Sequence, residues 1–476
     1  MPTLRRTKIV CTIGPATDAP EMLAALIDAG MNVARLNFSH GSHDEHRQRI
    51  DRLREIASQK KISIAILQDL GGPKLRTGLM AAPVVLKPGD IFILTNREVP
   101  GDSQAVSVTY RDLPIQVKVG ENILLADGAI QLQVLDKNKT DLRCRVIDGG
   151  ALGSHKGINL PQTSLVIPAL TEKDKTDLEF GLEAGVDFVA LSFVRKSSDI
   201  QLVKEVMQTR NSNVPIIAKI EKHEALQKID AIIDAADGIM VARGDLAVET
   251  PLERVPLVQK SLIKKCNRAG KPVITATQML KSMVDEPRPT RAEANDVANA
   301  VLDGTDAVML SEETTIGKYP VQAVQVMDKI LRTTETELKP RDWLPTEIHQ
   351  GKIATAAAVS HAAVGIAQDL NVAAILTPTR SGATAKMVAR YRPRVPIVAL
   401  CHRPETYRAL SLVWGVHPIF FDGDLDNSDA LIARCKAEAL KRGFVVIGET
   451  VLITAGLPPS AQSSTNLIKV ETIDGL

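Results

Sequence analysis

From Lys8 to Ser311 the chain repeats one unit, a short apolar run of strand length followed by a segment of helical period. Three strand-like runs, Lys8–Thr12, Asn32–Asn37 and Ile64–Gln68, alternate with helical segments at Glu21–Ala29 and His43–Ser58. The alternation stops at Gly71-Gly72-Pro73 and resumes at Val186. It then gives strands near Phe188–Ser192, Pro215–Ile220, Gly238–Ala242, Pro272–Thr277 and Ala307–Ser311, each followed by a helical segment. Short apolar runs bounded by turn residues read as buried parallel strands. Eight βα units in a row predict an α/β chain folded as a closed (β/α)8 TIM barrel, with an open doubly wound sheet as the alternative.

The interruption is itself patterned. From Pro83 to Val146 the sequence becomes short alternating runs, AVSVTY, NILLA, AIQLQVL and DLRCRV, separated by Gly, Asp and Asn. That predicts an all-β domain inserted after the third strand. It ends at INLP and VIP, after which Thr171 and Asp174 form a capping-box opening and the helical period returns. After a helix near Val321–Glu337, the polar, Pro-containing stretch LKPRDWLPTEIHQGK reads as a boundary. Beyond it, TAAAVSHAAVGIAQDL, AAILTPT, ATAKMVARY, PIVALC, FVVIGE, VLITAG and LIKV predict a separate α/β domain of about five strands. The expected division is a barrel over 1–70 and 169–344, a β-barrel lid over 71–168 and a C-terminal α/β domain over 345–476. A length of 476 residues suits several domains of ordinary size.

Composition narrows the function by exclusion. Lys and Arg number 58 against 56 Asp and Glu, and a net charge of +2 leaves no footprint for nucleic acid or an acidic membrane surface. Anions must therefore be bound locally. The five cysteines are scattered without metal-ligand spacing, as in a reducing compartment. The N-terminal MPTLRRTKIVCTIG enters a strand with no signal-length apolar region, and no apolar stretch reaches membrane-spanning length, so a soluble cytoplasmic protein is expected.

Chemistry concentrates in IIAKIEKHEALQKIDAIIDAADGIMVARGDLAVE, Ile216 to Glu249. One strand ends Lys219-Ile220-Glu221 and the next ends Arg243-Gly244-Asp245. Strand period places Lys219 and Glu221 on one face, and the carboxyl ends of parallel strands face the ligand. A divalent metal between Glu221 and Asp245, Mg²⁺ or Mn²⁺ by its oxygen donors, carrying an anionic substrate beside Lys219, accounts for the cluster. A structural salt bridge of Lys219 with Glu221 or Asp245 is the other reading.

Other strand ends add donors. Arg35, Asn37 and Ser39 share a face at the end of the second strand, where a guanidinium suits phosphate or carboxylate, unless Arg35 makes a surface salt bridge and Ser39 or Ser42 caps a helix. Gln68-Asp69-Leu70-Gly71-Gly72-Pro73-Lys74 carries a hinge-like Gly-Gly-Pro, and Ala276-Thr277-Gln278 puts a hydroxyl at the mouth. His40 and His223 lie nearby, as hydrogen-bond partners rather than bases. The chain has no P-loop, Rossmann fingerprint or Ser-His-Asp spacing.

These stretches, TKIVCTIGPA, MNVARLNFSHG, GPKLRTG, KGINLP, SFVR, AKIE, GIMVARGDL, ATQML, PRPTRAEANDVANAVLDGTDAVMLS and KYP-x-x-AV, together resemble pyruvate kinase. They run through the barrel in order, and the last domain is more loosely similar to the family's regulatory domain. The resemblance implies phosphoryl transfer from phosphoenolpyruvate to ADP, giving pyruvate and ATP in glycolysis. It implies that Glu221 and Asp245 hold the divalent metal and that the backbone at Gly244 approaches the phosphoenolpyruvate carboxylate. Lys219 would face the moving phosphoryl group, Arg35 would grip the phosphate, and Thr277 would lie by the enolate carbon. Asn37, Ser39, His40, Arg76 and Lys156 match nucleotide-contacting positions. A phosphorylated sugar or nucleotide effector is expected at the loop of Thr377, Thr379, Arg380, Ser381, Gly382 and Thr384, although GLPPSAQSSTNLIKV departs from the fructose 1,6-bisphosphate-binding form. A homotetramer is carried over from the family. Rival readings are a Schiff-base lyase using Lys219 and a silent sugar-phosphate sensor.

Two departures from the family pattern stand out. Glu312 occupies a position that is usually glycine, and is expected to pair with a basic neighbour. The resemblance also implies a monovalent-cation site with oxygens at Asn37, Ser39, Asp69 and the Leu70 carbonyl, yet Lys74 stands where potassium-dependent members have glutamate. Two like charges about 4 Å apart repel by about 4 kcal/mol at an effective dielectric near 20. Lys74 is therefore expected to act as an internal cation there and K⁺ not to be required.

Overall fold

A computed structural model describes residues 4–163, 165, 167–338, 355–422, 428–456 and 464–474. Eight parallel strands close a barrel in sequence order: Lys8–Thr12, Val33–Asn37, Ala65–Asp69, Phe188–Leu191, Ile216–Ile220, Gly238–Ala242, Val273–Ala276 and Ala307–Leu310. Closure is made by the first and last of these, with Lys8 opposite Ala307 and Cys11 opposite Leu310. The open-sheet alternative is thereby excluded. Alternation along each strand divides the apolar residues into two layers. Val10, Val33, Leu67, Ile217, Met240 and Ile274 fill the barrel interior. Ile9, Cys11, Leu36, Ile66, Ile220 and Val241 pack outward beneath the helices. Truncating such a fully buried side chain to alanine costs about 2–5 kcal/mol.

Helix starts are fixed locally. Ser42 with Glu45, Thr171 with Asp174 and Thr290 with Glu293 form reciprocal capping boxes. Only the second was anticipated from the sequence.

The insert follows the third strand. Its six-stranded sheet runs in the order Ile158–Asn159, Asn122–Leu125, Ile130–Lys137, Asp141–Asp148, Ile91–Thr95, Ala105–Ser107, and Gly150–Leu152 pairs separately with Val84–Leu86. One short helix, Leu113–Gln116, breaks the all-β expectation, with proline at its start. Arg76 bridges Gly157, so the two strands that connect insert and barrel lie side by side.

The C-terminal domain is a five-stranded sheet ordered Val416–Phe420, Ile397–Cys401, Ala374–Pro378, Thr450–Ala455, Leu467–Thr472, the last strand antiparallel and at the edge. FVVIGE is not a strand: Val446 and Ile447 are exposed in a turn, and pairing begins at Thr450. The strand Val416–Phe420, which contains Pro418, replaces it in the count. The boundary stretch at 339–354 lies outside the described residues. The domain docks on the barrel floor, where Lys8 Nζ donates to Val416 O (2.7 Å) and Arg392 meets Asp306 (3.0 Å). All five cysteines are free and buried, as packing residues. Among the described residues no helix is long and apolar enough to cross a membrane.

Candidate active site

Strand geometry brings the charged residues to one end of the barrel. Lys219 projects from the fifth strand near its end, and its ammonium has three oxygen partners: Ser192 Oγ at 2.6 Å, Asp69 Oδ1 at 3.0 Å and Glu221 Oε1 at 3.0 Å. Two of its three N–H groups are hydrogen-bonded, and Glu221 is held as an ion pair. Burial opposes the charge on Lys219, but Asp69 and Glu221 outweigh it and push the pKa up to about 12. Lys219 is a fixed cation.

Asp69, at the end of the third strand, holds two cations. Arg35 Nε donates to its Oδ2 at 2.6 Å while Lys219 takes Oδ1. Burial would raise this carboxyl, yet Lys219 and Arg35 together hold it below its usual value. Arg35 Nη1 also donates to Thr12 Oγ1 at 3.0 Å, and Nη2 has no protein partner among the described residues. One arm of the fork thus remains for an anion.

Glu221 is 1% exposed and its Oε2 accepts the Phe193 N–H at 2.7 Å. Burial first, and the charge of Asp245 as well, raise its pKa, against Lys219. A buried carboxylate beside a second carboxylate is the arrangement a hard divalent cation relieves. No third His, Cys, Asp or Glu joins them in a metal-sized cluster among the described residues. Magnesium takes few protein ligands and leaves its other positions to water and substrate oxygens, so the donor set fits.

The sequence placed Gly244 and Asp245 at a strand end; they lie instead in the first turn of the helix Arg243–Glu249. That turn is tied to the seventh strand. Gly244 N donates to Thr277 Oγ1 at 2.8 Å, and Arg243 donates to the Ala276 and Thr277 carbonyls. Thr277 has a φ of 71°, a left-handed conformation costly for a β-branched residue. Phe193, at φ 56°, is strained in the same way where it meets Glu221.

The expected nucleotide-contacting residues are near one another in two groups. Ser39 N donates to Asn37 Oδ1 (3.1 Å), and His46 bonds the His40 carbonyl (3.0 Å). Arg76 donates to His155 O, and Lys156 N donates to Thr77 Oγ1 on the adjacent strand, so both cations stand on the insert's connecting strands.

Lys74 does not take the place expected of it. Its ammonium lies 3.4 Å from Asp245 Oδ1 and 4.0 Å from Asp127 Oδ1, turned toward the carboxylate pair and the lid rather than the oxygens of Asn37, Ser39, Asp69 and Leu70. Asp69 already carries two cations and Leu70 O already accepts Ser192 Oγ, whereas Asp245 has no other ion pair among the described residues. Glu312, as expected, pairs with a basic neighbour, Lys281.

In the C-terminal domain, Thr377 is buried at a strand end. Thr379 Oγ1 accepts the Gly382 N–H at 2.9 Å, Thr384 Oγ1 pairs with Thr465 Oγ1 at 2.9 Å, and Arg380 and Ser381 are exposed. Residues 457–463 of the stretch GLPPSAQSSTNLIKV lie outside the described residues.

The sequence reading missed Ser192, Thr12, Arg243 and Glu249. Ser192 carried a usable signal, since it follows the fourth strand directly. Glu249 did not: it is buried, and accepts from Lys222 Nζ (2.5 Å) and from Asn159 Nδ2 of the insert (3.1 Å).

Comparison with known proteins gives the same answer along the chain. Residues 4–324 match the family model "Pyruvate kinase, barrel domain", and residues 357–471 match "Pyruvate kinase, alpha/beta domain". The chain is 48% identical to a pyruvate kinase of Sporosarcina psychrophila and 48% identical to that of Geobacillus stearothermophilus, in each case over 99% of this chain and 81% of the relative. The crystal structure of a pyruvate kinase from Cryptosporidium parvum superposes with a TM-score of 0.91 at 38% identity, covering 98% of this chain and 96% of that one. A closed barrel with an insert after its third strand, a lysine set among carboxylates at its mouth and family matches over both large segments lead to one conclusion: the chain belongs to the pyruvate kinase family, and is a phosphotransferase.

Proposed function

We propose that the residues at the barrel mouth divide the transfer of a phosphoryl group from phosphoenolpyruvate to ADP as follows. Glu221 and Asp245 hold Mg²⁺ or Mn²⁺, which when bound supplies Lewis-acid charge to the substrate oxygens. Lys219 supports the reading most directly. Held by Asp69, Ser192 and Glu221, its ammonium is positioned before substrate arrives, so little reorganisation is needed when charge develops on the phosphoryl group and the enolate. The free arm of Arg35 binds the phosphate. The backbone at Gly244, held in place by its N–H to Thr277 Oγ1, approaches the substrate carboxylate, and the Thr277 hydroxyl helps pass a proton to the enolate carbon. Asn37, Ser39 and His40 from the barrel and Arg76 and Lys156 from the insert contact the nucleotide, and closure of the insert excludes water. The Schiff-base reading is disfavoured, because an amine with a pKa near 12 and three oxygen partners is not a nucleophile. A coupled assay for pyruvate from phosphoenolpyruvate and ADP tests the proposal; turnover that persists undiminished when divalent metal is chelated would overturn it.

Independence of K⁺ is proposed on a changed argument. Asp69, the charged member of the expected cation set, already carries Arg35 and Lys219, and a monovalent ion would have to displace one of them. Full turnover in buffer free of K⁺ and NH₄⁺ is expected; strong activation by K⁺ would refute it. A phosphorylated effector at Thr377–Thr384 is supported by the exposed Arg380 and Ser381 beside a helix start, and Thr379→Glu should abolish its effect on phosphoenolpyruvate saturation. An unchanged effector response in that variant counts against the site. A cytoplasmic homotetramer is proposed from the resemblance, with light scattering as its check.

A further inference from the structure

On the barrel face opposite the catalytic mouth, where the C-terminal domain docks, lies a cavity of about 670 Å³. Its barrel wall is the arm before the first strand, with Leu4 and Arg6, and the end of the helix Pro320–Glu335, with Arg332 and Glu335. Its other wall is Arg394 and Pro396, just before the strand Ile397–Cys401, and Arg442 and Phe444, just after the helix Ser428–Lys441. The volume falls within the range of about 300–1,000 Å³ that small-molecule sites occupy.

The charge in this cavity is unbalanced. Four arginines line it against two glutamates, Glu335 and Glu449; Arg6 pairs with Glu335 (3.4 Å) and Arg332 with Asp328 (2.7 Å), which leaves the guanidinium groups of Arg394 and Arg442 for a ligand. Both glutamates are already committed to backbone donors. Glu335 is 3% exposed and accepts the N–H groups of Arg6 (2.9 Å) and Thr7 (2.6 Å). Glu449 Oε2 accepts the Val446 N–H at 2.8 Å. On the cationic side, Arg394 has no carboxylate partner among the described residues, and the carboxylate oxygen recorded for Arg442 is at 4.0 Å, from Glu438. Between these guanidinium groups the walls are apolar, from Leu4, Leu338, Pro396 and Phe444. A cavity with planar cationic forks and apolar faces is complementary to an oxyanion on an apolar or aromatic body.

We propose that this cavity is a binding site for such an organic oxyanion, a phosphate or carboxylate carried on an apolar body, and that its occupant ties the barrel floor to the C-terminal domain. The site is separate from the Thr377–Thr384 loop. That loop follows the strand Ala374–Pro378, whereas the cavity is reached before that strand, at Ala373. The two sites lie at opposite ends of one sheet, and a ligand here bridges two domains where one at the loop touches a single domain.

A local reporter is built in. Arg6 stacks over Trp414 with its guanidinium carbon 5.4 Å from the ring centroid, and the chain has two tryptophans, Trp343 and Trp414. In Trp343→Phe, the emission of Trp414 reports on the cavity and not on the catalytic mouth. Phenyl phosphate, benzoate and phenol serve as probes on the full-length protein, with calorimetry on the unaltered chain in parallel. Phenyl phosphate is expected to give a saturable change with Kd below about 1 mM, and phenol none. Arg394→Gln combined with Arg442→Gln should weaken binding at least about tenfold while leaving pyruvate formation without probe unchanged. Benzoate binding as tightly as phenyl phosphate assigns a carboxylate ligand, and weaker binding assigns a phosphate. No saturable signal up to about 10 mM for either anion by both methods, or equal affinity in the double variant, overturns the proposal.

Discussion

At the scale of single residues, the site is a chain of shared charges: Thr12 to Arg35, Arg35 to Asp69, Asp69 to Lys219, and Lys219 to Glu221. Removing Lys219 leaves Glu221 buried without its cation, while Asp69 keeps Arg35, so substitution there tests mechanism and stability together. Lys219→Met separates the two if turnover and binding are measured alongside the unfolding midpoint. Its loss should lower kcat by at least about 10²-fold, because the charge it offsets is largest in the transition state. KM for phosphoenolpyruvate should change only a few-fold, since the free arm of Arg35 and the metal-holding carboxylates remain. Lys219→Arg should recover stability but little turnover, because a planar fork cannot meet the three oxygens as an ammonium does. Near-normal kcat in Lys219→Met refutes the assignment, whatever happens to stability.

At the scale of elements, the helix Arg243–Glu249 joins three parts of the molecule. Its first turn carries Gly244 and Asp245, and its last residue, Glu249, binds Lys222 beside Glu221 and Asn159 at the return of the insert. Burial raises the Glu249 carboxyl, but His223 and Lys222 reverse this and lower it, so Glu249 stays ionised and keeps both partners. Asn159→Ala removes the tie to the insert and leaves the tie to Lys222. Amide exchange in segments 72–78 and 154–160 should then become faster, and KM for ADP should rise several-fold, through Arg76 and Lys156, with KM for phosphoenolpyruvate little changed. Equal change in both KM values would mean that Asn159 acts only through general stability. None of this was legible in the sequence, because Asn159 and Glu249 are 90 positions apart and meet only once the insert is folded back. The barrel was legible because its strands are buried on both faces and read as continuous apolar runs between helical periods. The C-terminal domain was less so. FVVIGE has the composition of a strand but its Ile447 faces solvent, while VHPIF is a strand despite its proline, at the sheet edge where a missing donor is tolerated. Lys74 was placed wrongly for a related reason: its position in the chain was clear, but the direction of a four-carbon side chain depends on which carboxylate is already occupied.

At the scale of the whole molecule, the barrel and the C-terminal domain are joined by a contact that neither would keep alone. Arg392, 4% exposed, donates to Asn267 Oδ1 (2.7 Å), Gly304 O (2.8 Å) and Asp306 Oδ2 (3.0 Å) on the barrel floor, and its guanidinium lies 5.0 Å from the Trp414 ring centroid. Asp306 also accepts the N–H groups of Val273 and Trp414, so one buried carboxylate orders the start of the seventh barrel strand and a turn of the docked domain. A buried pair of this kind is weak evidence for net stability, but removing one partner strands the other, at a cost of about 3–5 kcal/mol. Arg392→Met should therefore lower the unfolding midpoint and split a single transition into two, with the C-terminal domain separating from the barrel first. Adding Asp306→Asn should restore part of the loss, because the stranded charge is gone while the amide oxygen keeps one of the two backbone hydrogen bonds. Basal pyruvate formation should hardly change below the first transition, since the catalytic mouth is at the other end of the barrel. Any response of phosphoenolpyruvate saturation to a ligand in the C-terminal domain should weaken, because the rigid link that carries it is lost. A variant that keeps one transition, at the original midpoint, would show that the docking rests on the surrounding apolar contacts and that Arg392 is not the joint.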